Sequence, residues 1–208
     1  MQTPIATLAA WFTAIGTLAV AVAAIWGDWI RACIAGPRLT LSLRERGHLT
    51  PRTDGGHAIF YHVAVGNDRS WSPAKAVRLL VVGIAKRRPD GSYLAEPLIA
   101  PFQLTWAFPE FHELFPTVAD PHHPEICDLG YLDERARQFK LSTYIQASTF
   151  PGWIASGEAM RVTLVASAHN GQSEPLVVEI SWDGVWPENL DEMQKHLVVN
   201  EAASARML

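Results

Sequence analysis

The sequence predicts a mainly β protein: an antiparallel β-sandwich of about seven strands, preceded by one N-terminal transmembrane helix and followed by a short C-terminal helix. Three observations carry this. Residues 1 to 27 hold no charged side chain, and Asp28 is the first. Beyond Pro37, apolar residues recur at every second position, the period of a half-buried strand. Turn-forming residues interrupt those runs at fairly regular spacing, as they do in sandwiches.

The chain has 208 residues, of which 49% are apolar and 18% charged. The shortage of charge is confined to the leader, so a hydrophobic segment is joined to a body of ordinary polarity. A net charge of −4 and an isoelectric point near 6.0 lack the basic excess of a nucleic-acid binder. The two cysteines, Cys33 and Cys127, form no CxxC pair and no disulfide framework. That usage fits a reducing compartment.

Ile5 to Gly27 reads IATLAAWFTAIGTLAVAVAAIWG, 23 residues without a charge. As a helix it would run roughly 34 Å, against about 30 Å of hydrocarbon. Pro4 suits a helix start, where no N–H is needed. Trp26 and Trp29 fall at the far end, where indoles favour the headgroup layer. A cleaved signal peptide would carry a basic start and a shorter apolar core. A buried helix of this length without one charge would be unusual in so small a protein. Arg31, Arg38, Arg44, Arg46 and Arg52 follow the helix, and basic flanks stay cytoplasmic, so the N-terminus is expected outside and the body in the cytoplasm, on the inner face of the cell membrane. Ala9, Thr13, Thr17 and Ala21, with Gly16 beside them, form a row of small residues that could let two helices approach closely and make a homo-oligomer. The expected organisation is a transmembrane helix over 1–30, a juxtamembrane linker over 31–37, a sandwich with its C-terminal helix over 38–199, and a flexible tail over 200–208.

In the body, Leu39, Leu41 and Leu43 alternate with polar residues in a first strand. Asp54-Gly55-Gly56 turns the chain, and Ile59, Tyr61, Val63 and Val65 share one face of a second strand. A third is expected over Ala76–Ala85, closed by Pro89-Asp90-Gly91, where proline sets φ and glycine supplies positive φ. Further strands are expected over Phe102–Phe108, Gln138–Gln146, Met160–Ala168 and Leu176–Trp182. Asn170-Gly171 reverses the chain between the last two. Pro109–Pro124 reads as a proline-rich loop. Leu190, Met193 and Leu197 on one face predict a closing helix from Glu188 to about Leu197.

Val63-Ala64-Val65-Gly66-Asn67, followed by Pro73-Ala74-Lys75-Ala76-Val77, resembles a motif of immunoglobulin-like adhesion and scaffold modules: V-x-V-x-N ends a strand, and A-x-x-V opens the next. The resemblance covers about 20 residues. The whole layout, with its closing Trp182-Asp183-Gly184-Val185-Trp186, resembles bacterial single-pass membrane proteins with a cytoplasmic immunoglobulin-like sandwich. No activity follows from that resemblance, and no site residues are transferred.

Chemistry-bearing motifs are sparse. The segment His112–Asp128 gathers His112, Asp120, His122, His123, Glu125, Cys127 and Asp128, all zinc-capable types. Their spacing matches no metal motif, and adjacent histidines in an extended segment point opposite ways. No nucleophile elbow or phosphate-binding loop is present, so neither enzyme activity nor a cofactor nor a metal is expected. The eight tryptophans are more informative. Trp71, next to Arg69, and Trp153 sit in expected loops, where an aromatic either caps a sandwich core or forms a recognition surface. Trp182 and Trp186 are expected to lock the closing helix to the last strand. Two functions fit: a membrane-anchored binding or sensing module of unknown protein or small-molecule ligand, or an antiphage-type effector whose helices assemble to disrupt the bilayer. Neither implies nucleic acid.

Overall fold

The computed structural model describes residues 4–44, 47–53, 55–107, 114–119, 122–145, 150–187 and 189–202, and within these the side chains of all but 4–10, 23, 28–35 and 190. The chain divides into two units, Met1–Gly36 and Pro37–Leu208.

The first unit is one helix, α1, Pro4–Ala35. Pro37, which cannot continue a helix, follows its end. Trp11, Phe12, Ile15, Leu18, Val20, Ile25 and Trp26 are all exposed on it. Among the described residues, no helix is long and apolar enough to cross a membrane. The uncharged stretch whose side chains are described begins at Trp11 and ends at Gly27. That covers roughly 25 Å at 1.5 Å per residue, short of the hydrocarbon thickness of about 30 Å. The structure therefore does not support the span expected over Ile5–Gly27, because much of that expectation rested on residues before Trp11.

The second unit is mainly β. Its described strands are β1 (Leu39–Leu43), β2 (His48–Pro51), β3 (His57–Asn67), β4 (Arg78–Arg87), β5 (Tyr93–Glu96), β6 (Phe102–Gln103), β7 (Glu125–Asp133), β8 (Gln138–Leu141), β9 (Trp153–Ile154), β10 (Ala159–Ala168), β11 (Gly171–Gln172), β12 (Leu176–Trp182) and β13 (Leu197–Glu201). They form two antiparallel sheets. One runs β1-β3-β7-β8-β9, with β2 beside β3; the other runs β13-β12-β10-β4-β5, with β11 on β10 and β6 on β4. The chain changes sheet between β3 and β4, between β6 and β7, and between β9 and β10.

Alternation puts Ile59, Tyr61, Val63 and Val65 of β3 and Val162, Leu164 and Ala166 of β10 into one core with Trp106, Phe139, Met160, Ile180 and Trp182. Fully burying each large apolar side chain is worth about 1.5–3 kcal/mol. Leu129 forms a bulge in β7, since Tyr61 pairs with Gly130 but His62 with Asp128. Gly130 then faces inward beside the tilted Tyr61 and Phe139 rings.

Several expectations are corrected. The segment Glu125–Asp133, left without a strand, is β7, a central strand of its sheet. The closing helix reduces to a 3₁₀ turn, Leu190–Glu192, and one α-turn, α2, Met193–His196. The chain from Leu197 is the edge strand β13, which reaches Glu201, beyond the expected start of the tail at Asn200. Val198 and Val199 suit a strand better than a helix because their branched β-carbons crowd a helical turn. Met193 and Leu197 are buried as expected, while Glu188 and the Leu190 side chain lie outside the description. Trp182 pairs with Leu197, so the strand expected to hold the closing helix pairs with β13. The expected strands over Phe102–Phe108 and Gln138–Gln146 shorten to β6 and β8, with isolated bridges at Leu104, Trp106 and Thr143.

On the outer face of the second sheet, Arg161 Nε donates to Glu179 Oε2 at 2.9 Å, and its guanidinium stacks 3.9 Å over the Tyr93 ring. Burial pushes the Glu179 carboxyl up, but the Arg161 hydrogen bond and the Arg161 and Arg87 charges outweigh it and hold it below 4.5.

Two predictions follow from this packing. Gly130→Ala would drive a β-carbon into the Lys140 carbonyl and the Phe139 ring; urea unfolding should show a loss of about 2–3 kcal/mol, the cost of overpacking. A depressed folded carboxyl contributes stability above the ordinary value of 4.5 and loses it as the pH falls through the folded value. Urea midpoints taken from about pH 6 to about pH 3 should therefore fall less steeply in Arg161→Gln than in the parent.

Candidate recognition surface

The V-x-V-x-N segment ends β3 with Asn67, a fully buried polar residue. Its Oδ1 accepts the backbone N–H of Arg38 at 2.9 Å and of Arg69 at 3.2 Å. Its Nδ2 donates to the carbonyls of Arg69 at 3.0 Å, Ser72 at 2.8 Å and Val118 at 3.3 Å. An asparagine can do this because one amide carries both acceptor and donors. The same side chain therefore joins the first residues of the body, the loop after β3 and the strand-like segment at Val118.

That loop is held at every step. Ser72 N–H donates to the Arg69 carbonyl at 3.0 Å, closing a turn with Ser70 and Trp71 at its centre. Ala74 and Val118 exchange backbone bonds of 2.9 Å in both directions, and Val77 N–H reaches the Pro116 carbonyl. Asn170, at the β10–β11 reversal, accepts from Lys75 N–H and donates to the Pro73 carbonyl. Ala76 takes a left-handed backbone, φ 52°. A β-carbon disfavours that conformation, so the surrounding bonds must hold it. Out of this framework Trp71 stands 72% exposed. Arg69 beside it is half-buried.

Trp153 lies elsewhere. It is half-buried in β9 and pairs with Lys140, which pairs with Tyr131, which pairs with Phe60, which pairs with His48. These residues form one row across the outer face of the first sheet. The Phe60 and Tyr131 rings stack at 5.1 Å between centroids, and the Arg52 guanidinium sits 6.0 Å from the Tyr131 centroid. Phe60 is seven residues before Asn67 along β3, roughly 23 Å. The expected pairing of Trp71 and Trp153 in one surface is therefore not what the register produces.

Two titratable side chains of the first sheet, Cys127 and Tyr61, face the core. Cys127 is buried, and its thiol donates to the Thr105 carbonyl at 3.0 Å. Burial, and secondarily the Asp128 charge, push it well above the ordinary thiol value. Burial also pushes the Tyr61 hydroxyl up to about 12. His62 Nδ1 and Asp128 Oδ1 pair at 2.9 Å on the outer face. Of the zinc-capable segment, His112 and Asp120 lie outside the described residues, while Glu125, Cys127 and Asp128 belong to β7. Alternation sends Cys127 inward and Asp128 outward, which separates them as ligands. Among the described residues, no three such groups could hold one metal ion. A cleft of about 410 Å³ opens between Leu49, Ile59 and Tyr61 on one side and Asp191, Met193 and Gln194 on the other.

In the helix, Thr17 Oγ1 donates to the Thr13 carbonyl at 2.9 Å, and the space around Gly16 is open. The Ala9 side chain lies outside the description. Compared with protein families, characterised proteins and solved structures, the chain matches none.

Asn67→Ala takes the amide partner from the part-buried N–H groups of Arg38 and Arg69 and the Ser72 carbonyl, and should cost about 2–3 kcal/mol in urea unfolding. Trp71→Ala, at an exposed turn, should change stability by less than about 0.5 kcal/mol.

Proposed function

We propose that the chain is a membrane-anchored, non-enzymatic binding module, with α1 as the anchor and an immunoglobulin-like sandwich as the body. One observation carries the anchor. At roughly 100° per residue, Phe12, Val20 and Ile25 point in three well-separated directions, and each is exposed on α1. A helix that is apolar all round has to be covered by protein or by lipid. An amphipathic surface helix would carry a charged face, and Pro4 to Gly27 has none. The residues before Trp11 extend the same uncharged run to the length that a bilayer needs. The arginines that follow favour a cytoplasmic body.

The interleaving of strands supports the immunoglobulin-like reading: β1, β3 and β7 lie in one layer, and β4, β10 and β12 in the other. The neutral forms of Cys127 and Tyr61 support a binding role over nucleophilic or acid–base chemistry. The ligand is a protein or a small molecule taken up on the sandwich surface.

A second reading keeps the anchor and adds assembly. Thr17 satisfies its hydroxyl within the helix, and Gly16 leaves its flank open, so this face suits close contact between two copies of α1. An effector that permeabilises the membrane would depolarise cells on induction, as a potential-sensitive dye would report; a binding module would not.

The anchor itself is tested by fractionation. The full chain should stay in the membrane pellet after alkaline carbonate washing, and Leu18→Arg combined with Val20→Arg should release it. Recovery of the parent chain in the supernatant would remove the anchored reading.

A further inference from the structure

We propose that the open edge of β13 is an interface for a second copy of this chain: the two β13 strands pair antiparallel about a two-fold axis at Val199, and one sheet runs across both copies. The inference concerns the body alone and needs neither the anchor nor the position of α1.

The direction of the backbone groups follows from the bonds to β12. Ala202 N–H donates to the Val177 carbonyl at 2.8 Å, and Asp183 N–H donates to the His196 carbonyl at 3.2 Å. In an antiparallel pair, residues bonded to the neighbour alternate with residues turned away from it. Val198 and Asn200 therefore bond to Ser181 and Glu179, their register partners, while Leu197, Val199 and Glu201 turn their backbone groups to the open side. Leu197 N–H is taken by the Met193 carbonyl at the end of α2. That leaves the Leu197 carbonyl, both groups of Val199 and Glu201 N–H without a backbone partner among the described residues.

Such an edge templates another strand unless something blunts it. The other edges are blunted. β9 has two residues, and Pro97 and Pro101 separate β5 from β6 on the far edge of the second sheet. On β1 the outward N–H of Leu43 is capped by Glu201 Oε1 at 3.0 Å. β13 carries no proline, no lysine and no bulge.

A second β13 is the strand that matches. The antiparallel register centred on Val199 overlaps the whole of Leu197–Glu201. It lets Val199 exchange both bonds with its counterpart, and it puts each Glu201 N–H opposite the Leu197 carbonyl of the other copy. Val199, half-buried against the core, gains its counterpart as an apolar neighbour on the inner face. Val198, 36% exposed, faces Asn200 of the other copy on the outer face. Each Glu201 lies opposite a leucine, and the two carboxylates stay roughly 14 Å apart, beyond the Debye length of about 8 Å at physiological salt.

The test uses the full chain in detergent micelles, with its mass followed by sedimentation equilibrium over a wide range of concentration. The parent should form dimers. Val199→Pro removes an N–H that points to the open edge and no bond to β12, so it should weaken the dimer at least about ten-fold. Should that variant not fold, Val198→Lys at an exposed position gives the same reading, because it sets two like charges diagonally across the axis. The register is read by combining Val198→Cys and Asn200→Cys on a Cys33→Ser background. These positions face each other in the proposed pairing and should form an interchain disulfide several-fold faster than Arg88→Cys on the same background. A monomer at every concentration overturns the proposal and leaves the edge to a foreign strand. A dimer that survives both Val199→Pro and Val198→Lys, as one held by α1 would, overturns it too, and so does equal cross-linking of the two cysteine variants.

Discussion

Five backbone groups converge on one buried amide, that of Asn67. Without it the part-buried N–H groups of Arg38 and Arg69 and the Ser72 carbonyl would lose their amide partner, a loss of about 1 kcal/mol or more for each. With it, three segments distant in the chain share one anchor. β1 enters with Leu39 opposite Asn67, the Trp71 turn is clamped at both ends, and Val118 is held where the chain returns towards the first sheet. The left-handed backbone at Ala76 persists because these bonds over-determine the loop.

Register is the second constraint. The bulge at Leu129 shifts β7 by one residue, so that Gly130 and Leu132 face inward while Tyr131 faces outward beside Phe60. An unshifted strand would exchange those faces. The row of Phe60, Tyr131, Lys140 and Trp153 on the outer face is a consequence of that single extra residue. Gly130 leaves the space that the Phe139 ring occupies, so the bulge and the glycine act together.

Legibility in the sequence followed clean alternation. Leu176–Trp182 is readable to the residue because Val178, Ile180 and Trp182 alternate with Glu179 and Ser181, and Asn170-Gly171 precedes it. The second strand is readable from Ile59, Tyr61, Val63 and Val65 at every second position, although it runs on through Gly66 to Asn67. β7 was hidden by its own bulge: Ile126, Cys127, Leu129, Leu132 and the intervening acids fit no single period, and the prolines and histidines before it read as loop. β13 was hidden by the helical spacing of Leu190, Met193 and Leu197, of which only a single α-turn formed. The motif ending at Asn67 was visible, but its role was not, since the partners of its amide are spread from Arg38 to Val118. Trp71 was found as a loop aromatic beside Arg69; nothing in the local sequence distinguished it from Trp153.

The sequence by itself determined a charge-free leader, a mainly β body and the positions of most turns, because these depend on local polarity, period and backbone preference. Tertiary structure decided which strands are neighbours, where the register shifts, and that Trp71 stands out while Trp106 and Trp182 are buried. The reason is physical: pairing and burial are set by contacts between segments far apart in the chain, and a tryptophan has the same composition in either place.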